Sequence, residues 1–208
     1  MHPGADGPSI ARSPTGHPVD LFDLTDYLAD RFHRIYVIDL DGLERDVPQL
    51  DYLQEITRDT DVWVDAGLRS ADSVIDILVT GARRAVVSTA RFRTPAELER
   101  ALGLTPELAL EIHTDSAGRV LGDPQWGEEL ARSAHLARAL GVQDLIVNGG
   151  DSAVDWAGVR LLSRDGPVWV GGRFEPADEA HLAPSGASGG FFHIGDILDR
   201  WARGEEAG

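Results

Sequence analysis

Two hydrophobic patterns alternate along most of the chain. Short runs of mainly apolar residues, such as 35–39 and 62–65, end abruptly in a carboxylate or a glycine. The segments between them carry apolar residues at helical spacing, as at Val74, Ile77 and Leu78. A run that is apolar throughout is typical of a strand buried on both faces of a parallel sheet. The pattern therefore predicts strands and amphipathic helices in strict alternation.

Seven strand-then-helix units are predicted, after an initial helix at 21–32 that has no strand before it. Helix starts are marked at Ser70, a capping residue, and at Thr94, which precedes proline and is followed by glutamate at the third helical position. Regular alternation of this kind requires right-handed crossovers and a parallel sheet. The predicted strands are 35–39, 62–65, 85–88, 108–112, 144–147, 168–170 and 191–194, and a closing helix is predicted at 195–201.

The fold class expected from this alternation is α/β, and a TIM-type (β/α) barrel is preferred to an open sheet. The chain has 208 residues, which is short for a complete eightfold barrel of about 250 residues. We therefore expect a barrel that is incomplete or modified at its first strand. Residues 1–18 are rich in glycine, proline and serine and are predicted to be a flexible N-terminal tail. Residues 19–204 are predicted to form a single barrel-like domain. Trp63 and Trp169 are expected to pack between strands and helices.

Charge and composition exclude several functions. The net charge is −16, and all 19 basic residues are arginine. Without lysine, the chain has no Schiff-base or P-loop lysine. Its acidity argues against a nucleic-acid partner, because phosphate contacts need clustered positive charge. Without cysteine the chain has no disulfide and no thiolate nucleophile, which favours a cytoplasmic location. The sequence contains no apolar run long enough to predict a membrane-spanning segment.

Five short motifs follow one another in order along the chain. They are VIDLDG at 37–42, DAGLRS at 65–70, VVSTA at 86–90, GG at 171–172 and IGDIL at 194–198. Their order and spacing resemble a divergent branch of the histidine-biosynthesis barrels. That family includes phosphoribosylformimino-aminoimidazole carboxamide ribotide isomerase and the imidazole glycerol phosphate synthase cyclase. The resemblance covers the chain from Leu21 onward and implies a phosphate-binding (β/α) barrel.

The resemblance also implies two phosphate sites at glycine turns, where backbone N–H groups and a helix N-terminus face an anion. The alternative is that these glycines only form tight strand-to-helix turns. The arginines beside the turns could bind phosphate, or could pair with surface carboxylates. In the first turn Asp65 and Ala66 replace glycines, and a carboxylate there repels phosphate unless it binds a cation. The predicted phosphate or substrate ligands are Gly67, Arg69, Ser88, Thr89, Gly171, Gly172, Arg173 and Gly195.

Three aspartates are predicted as catalytic residues: Asp39, Asp115 and Asp151. The family places its second catalytic aspartate at the end of the fifth strand, and Asp115 lies nearest to that position. Each has a structural alternative, because a carboxylate at a strand end can hydrogen-bond to the N–H groups of its own turn. A metal site formed by Asp39 and Asp65 with His113 and His193 is a further alternative, although the spacing is not a known metal signature.

Two functions remain open at this point. The first is an isomerase- or lyase-type enzyme that acts on a phosphorylated sugar-like metabolite without a redox cofactor. The family's own isomerisation is doubtful, because the family's first-strand base has no counterpart before Leu21 and proton shuttling needs both a base and an acid. The second is a catalytically inactive barrel that binds or assembles. An unclosed parallel sheet exposes edges, which a homodimer or the N-terminal tail could cover.

Overall fold

The computed structural model describes residues 11–12, 18–19, 21–58, 60–172, 176–191 and 193–194. Two short strands, β1 (Ala11–Arg12) and β2 (Pro18–Val19), form an antiparallel ladder. This pairing falls at the end of the segment predicted as a flexible tail. None of the described helices is long and apolar enough to cross a membrane.

The main sheet contains seven parallel strands that lie side by side in chain order. Their C-terminal ends are in register: Ser88 pairs with Glu111, and Asn148 pairs with both His113 and Gly171. Residues at the ends of neighbouring strands therefore meet at one edge. The strands are β3 (Ile35–Ile38), β4 (Val62–Asp65), β5 (Arg84–Ser88), β6 (Leu108–His113), β7 (Asp144–Asn148), β8 (Val168–Gly171) and β9 (Gly189–Gly190).

Helices connect successive strands, and their ends follow the predicted capping signals. The Ser70 hydroxyl accepts from the Ser73 N–H in a capping box, and the Thr94 hydroxyl accepts from the Glu97 N–H. The helices are α1 (Leu21–Ala29), α2 (Leu40–Arg45), α3 (Leu50–Ile56), α4 (Ala71–Val79), α5 (Pro95–Leu104), α6 (Leu130–Leu140), α7 (Trp156–Leu162) and α8 (Glu179–Ser185).

The two faces of the sheet bury different sets of side chains. Alternate strand residues such as Val64, Leu110 and Val170 pack outward in the main core with the helices. The residues between them face inward and form a separate cluster: Tyr36, Trp63, Val86, Ala109, Ile146, Trp169 and Phe191. Trp63 and Trp169 therefore line the interior, not the strand–helix interface that was predicted. Because the side-chain period of a strand is two, each inward residue fixes the direction of its neighbours two positions away.

The sheet curls until its first and last strands face each other. The rings of Tyr36 on β3 and Phe191, just after β9, are 4.8 Å apart between centroids. Trp63 on β4 and Trp169 on β8 meet edge to face at 5.3 Å. An open flat sheet could not bring these strands together. The described strands therefore form an incomplete (β/α) barrel, which confirms the predicted fold class.

Helix α1 covers the seam between the first and last strands. Leu24 and Leu28 are buried there against Phe32, Ile35 at the start of β3, and Ile194 beyond β9. A single helix thus contacts both ends of the sheet. The sequence suggested a second subunit or the N-terminal tail as a cover for these edges. Within the described residues, α1 packs at this seam, and a second subunit stays a prediction.

Charged groups close the bottom of the interior, at the N-terminal ends of the strands. The Arg34 guanidinium lies over the rings of both Trp63 and Trp169, 4.4 Å from each centroid. The Arg84 Nε donates to the Asp144 Oδ2 at 3.1 Å, and the Trp169 indole N–H donates to the other Asp144 oxygen at 3.3 Å. This end is therefore filled, and the opposite end of the interior is where a substrate could enter.

Two predicted boundaries differ from the structure. The last described strand is Gly189–Gly190 and not 191–194; among the described residues beyond it, the Phe191 N–H continues the pairing by donating to Val170 at 2.8 Å. The first predicted strand, 35–39, ends at Ile38, because Asp39 is the cap of helix α2, which includes Asp41. The predicted closing helix at 195–201 lies outside the described residues.

Candidate functional site

Four polar side chains meet inside the barrel at the C-terminal ends of β4, β6 and β7. Asp65 follows the inward Trp63 by two positions, and Asn148 likewise follows Ile146. Glu111 and His113 continue the inward series of β6 that begins at Ala109. Because side chains alternate between the two faces of a strand, the inward residues of each strand are apolar in its middle and polar at its C-terminal end, at the mouth of the barrel. In a (β/α) barrel this mouth is the face where active sites lie.

Glu111 is the centre of this group. Its carboxylate is almost completely buried, and it accepts a hydrogen bond from the Asn148 amide at 2.7 Å. Its other oxygen lies 2.8 Å from the His113 Nε2. Asn148 is itself fixed, because its carbonyl oxygen accepts from the Gly150 N–H at 2.8 Å. A buried carboxylate needs such partners, and these two hold Glu111 in one orientation.

Asp65 is a buried carboxylate with an unusual proton affinity. Burial, with added repulsion from the charge of Glu111, raises the pKa of Asp65 from 3.8 to about 6. The Gly67 N–H, which donates to Asp65 Oδ1 at 2.8 Å, acts in the opposite direction but is outweighed. A carboxyl group with such a pKa changes its protonation near neutral pH, as a general base or acid requires.

His113 and Tyr36 respond to the same negative charges. Burial alone would lower the pKa of His113, but the hydrogen bond and charge of Glu111, helped by Asp65, raise it above its usual value. Burial raises the pKa of Tyr36 well above its usual value, and the charges of Glu111 and Asp65 add to this effect. The Tyr36 hydroxyl has no hydrogen bond of normal geometry, so Glu111 affects it mainly through charge.

Asp39 does not belong to this group. It continues the outward series of Ile35 and Val37, which pack against the main core. Its Oδ1 accepts from the N–H groups of Asp41 and Gly42, both at 3.1 Å, and its Oδ2 accepts from Gln49 at 2.7 Å. Asp39 is therefore the N-cap of α2, which is the structural alternative that the sequence left open.

The other two predicted catalytic aspartates also lie away from the group. Asp115 lies in a turn beyond β6, where its carboxylate accepts from the N–H groups of Ala117 and Arg119 and pairs with the Arg119 side chain. The Arg119 N–H is the main reason that the pKa of Asp115 is lowered. Asp151 is exposed in the turn after β7. Asp115 was predicted because it lies near the position of the family's fifth-strand aspartate. In the structure, Glu111 of the same segment lies at the mouth of the barrel, and Asp115 lies in the turn beyond it.

The first predicted phosphate turn is occupied by the protein itself. The Gly67 N–H donates to Asp65, and Arg69 pairs with Asp46 at 3.2 Å on the surface. The Ser88 hydroxyl accepts from the Ala90 N–H, and the Thr89 hydroxyl accepts from the His113 N–H at 3.1 Å. These side chains hold the turn and tie it to β6. The turn therefore offers an anion fewer free donors than the resemblance implied.

The second predicted turn is only partly described. Gly171 is buried beside Glu111, and Gly172 is exposed with φ of +79°. A Cβ at Gly172 would lie 2.4 Å from the Asn148 Oδ1, so this glycine packs directly against a residue of the polar group. Arg173 and Gly195 lie outside the described residues, and their predicted phosphate contacts stay predictions.

The metal alternative is not supported by the geometry. Within the described ranges, no three His, Asp or Glu side chains are arranged to hold a metal ion. Asp39 and Asp65 point to opposite sides of the sheet, because they continue the outward and inward series of their strands. The His113 Nε2 is already at hydrogen-bonding distance from Glu111.

Sequence reasoning missed Glu111 and Asn148 and considered Asp65 and His113 only as metal ligands or obstacles to phosphate. The signal that could have found them is the alternation itself. Trp63, Ala109 and Ile146 are the inward residues of their strands. Counting two positions onward from each reaches the polar residues at the mouth.

The fold and the site define a (β/α) barrel with titratable groups at the C-terminal ends of its strands. A family model described as histidine biosynthesis protein matches residues 11–149, which is about two thirds of the 208-residue chain. The chain therefore belongs to the histidine biosynthesis protein family, as its motifs indicated. The match includes Asp65, Glu111 and Asn148 but ends before the turn at Gly172. No curated protein matches the chain.

Proposed function

We propose that the protein is an isomerase- or lyase-type enzyme that moves a proton on a phosphorylated sugar-like metabolite. Asp65 is the general base, and His113, held by Glu111, is the general acid. The observation that carries this proposal is the placement of a carboxyl group with a pKa of about 6 beside the pair formed by buried Glu111 and half-buried His113 at the mouth of the barrel.

Isomerisation and elimination next to a carbonyl group both need one group to remove a proton and another to deliver one. Neighbouring titratable groups whose environments alter their proton affinities are suited to these two tasks. Asp65 is partly ionised near neutral pH and can therefore accept a proton. The negative charge of Glu111 raises the pKa of His113, so His113 keeps its proton to higher pH than an ordinary histidine. In this scheme Asn148 and Glu111 are positioning residues, because they orient His113.

A specific observation favours the alternative of an inactive binding protein. The donors of the first glycine turn and the oxygens of Glu111 are already used within the chain. The two functions differ in the role of Asp65. In the enzyme its carboxyl group transfers a proton, whereas in a binding protein it takes part in no reaction. A homodimer and a cytoplasmic location, both expected from the sequence, stay predictions.

Proton exchange in D₂O separates the two functions. The protein is incubated with a panel of phosphorylated aldoses, ketoses and amino sugars, and proton NMR follows loss of the signal next to the carbonyl. We expect exchange or conversion of at least one compound. The rate should fall by about 10²- to 10⁴-fold in Asp65→Asn and in His113→Gln, which is the range for removing a general acid or base. Asp115→Asn is the control and should keep wild-type activity. Absence of exchange across the panel, or an Asp65→Asn rate equal to wild type, would leave the binding protein as the better explanation.

A further inference from the structure

We propose that Arg91 binds the phosphate group of the substrate above Asp65, in place of the backbone donors of the turn at Gly67. This inference rests on the proposed function, because it names the residue that recognises the anionic part of the same substrate.

The path of the Arg91 side chain carries the inference. Arg91 follows β5, and its NH1 donates at 2.9 Å to the carbonyl oxygen of Leu43 in α2, which follows β3. Strand β4 lies between β3 and β5 in the sheet. The side chain therefore crosses the C-terminal end of β4, where Asp65 and Gly67 lie. Leu43 is next to that turn, since a Cβ at Gly67 would be 2.7 Å from the Leu43 Cα.

The guanidinium of Arg91 still has donors for an anion. The structure gives it one bond, to a neutral carbonyl, and among the described residues no carboxylate pairs with it. This is notable in a chain with 35 acidic and 19 basic residues, in which Arg45 and Arg69 nearby are both paired with aspartates. A guanidinium carries five N–H groups, so one bond at NH1 leaves the opposite edge available for bidentate binding of phosphate.

The positive charge of Arg91 also reaches the acid–base groups. It lowers the pKa of Asp65 and of His113, although other effects outweigh it at both. A phosphate held by Arg91 would therefore lie close to Asp65. The guanidinium would offset the repulsion between that phosphate and the carboxylates of Asp65 and Glu111. Buried Phe92 anchors the backbone beside Arg91, since its N–H donates to Ser88 at 2.8 Å.

Binding of inorganic phosphate tests the inference without a known substrate. Phosphate is titrated into the wild-type protein and into Arg91→Gln, Arg91→Lys and Arg93→Gln at constant ionic strength, with phosphorus NMR and melting temperature as readouts. We expect Arg91→Gln to bind at least about tenfold more weakly, the effect of losing one charge-assisted hydrogen bond, and Arg91→Lys to be intermediate. Arg93 is exposed and two positions away, so Arg93→Gln removes the same charge and should bind as wild type.

Melting temperatures in chloride show whether each variant is folded. Folding is expected because Arg91 is exposed and, among the described residues, its side chain makes a single hydrogen bond. Asp65→Asn should bind phosphate at least as tightly as wild type, since it removes a repelling charge. Equal binding by Arg91→Gln and wild type, or no binding by wild type, would overturn the inference. If exchange in D₂O occurs and Arg91→Gln does not alter phosphate binding, only this inference fails. If phosphate binds through Arg91 but no exchange occurs, only the proposed function fails.

Discussion

Replacing Asp65 by asparagine should stabilise the protein at high pH and have little effect at low pH. The asparagine side chain keeps an oxygen that can accept from the Gly67 N–H, but it carries no charge to bury or to repel Glu111. The folded protein raises the pKa of Asp65 from 3.8 to about 6. The neutral form is therefore the one that the fold favours, and ionisation of this group costs stability.

The sign and size follow from linkage. Because the pKa is higher in the folded state, the contribution of Asp65 to stability is fully present below about pH 3.8 and is lost as the pH rises through about 6. A shift of this size corresponds to about 3 kcal/mol in the free energy of unfolding. Asp65→Asn should therefore exceed wild type by up to about 3 kcal/mol at pH 8 and match it closely near pH 4.

Urea denaturation at a series of pH values measures this difference, and the difference curve should have its midpoint between the two pKa values. The matched control is Asp151→Asn, which removes the same formal charge from an exposed turn and so corrects for the net charge of −16. Asp115→Asn should show the opposite sign, because the pKa of Asp115 is lowered by the Arg119 N–H and the charged form is the favoured one. A difference between Asp65→Asn and wild type that does not change with pH would refute the reasoning and remove the basis for Asp65 as a base.

Three further results are expected. Glu111→Gln should lower the pKa of His113, since the charge of Glu111 and the hydrogen bond it makes raise that pKa; NMR titration of the His113 ring protons measures this. Gly172→Ala should lower the free energy of unfolding, measured by urea denaturation, by more than Gly118→Ala. Both glycines have a positive φ, +79° and +77°, so both variants carry a backbone strain of about 1 kcal/mol, but only the Cβ at Gly172 meets neighbouring atoms. The additional loss in Gly172→Ala therefore measures the clash with the polar group. Leu28→Ala should lower the free energy of unfolding by about 2–4 kcal/mol, because Leu28 is buried at the seam; a loss below about 0.5 kcal/mol would mean that α1 does not seal it.

The fold was predictable because its local signals agree. Apolar runs, helical spacing and capping residues such as Ser70 and Thr94 all indicated the same alternation, and the structure has seven parallel strands in chain order. The exceptions are local. Helix α2 was not predicted because the N–H groups that Asp39 binds were expected to belong to a turn and not to a helix. The last strand was placed too late because its two residues are glycines without a hydrophobic pattern.

The site was less predictable from the sequence. The last residue of each strand was expected to point into the mouth of the barrel, whether the alternate residues before it face the interior or the helices. Asp39 has the parity of Val37 and points toward the helices, whereas Asp65 has the parity of Trp63 and points inward. Trp63 and Trp169 were expected outside the barrel, where large side chains often pack between layers. Had they been placed inside, period-two counting would have put Asp65 inside as well. The curl of the sheet, which makes room for two tryptophans, is not visible in any one strand.

The departures from the family motifs have a common explanation in Asp65. A glycine turn at this position would leave backbone N–H groups free for phosphate, as in the resemblance, but here the Gly67 N–H is used by Asp65. Asp65 also places a carboxyl group with a raised pKa at the mouth of the barrel. If Asp65 is the base that we propose, the phosphate of the substrate needs another cation, and the Arg91 side chain crosses this turn. The two proposals are therefore linked: Asp65→Gly should lose the proposed proton transfer, while the Gly67 N–H becomes free to bind phosphate.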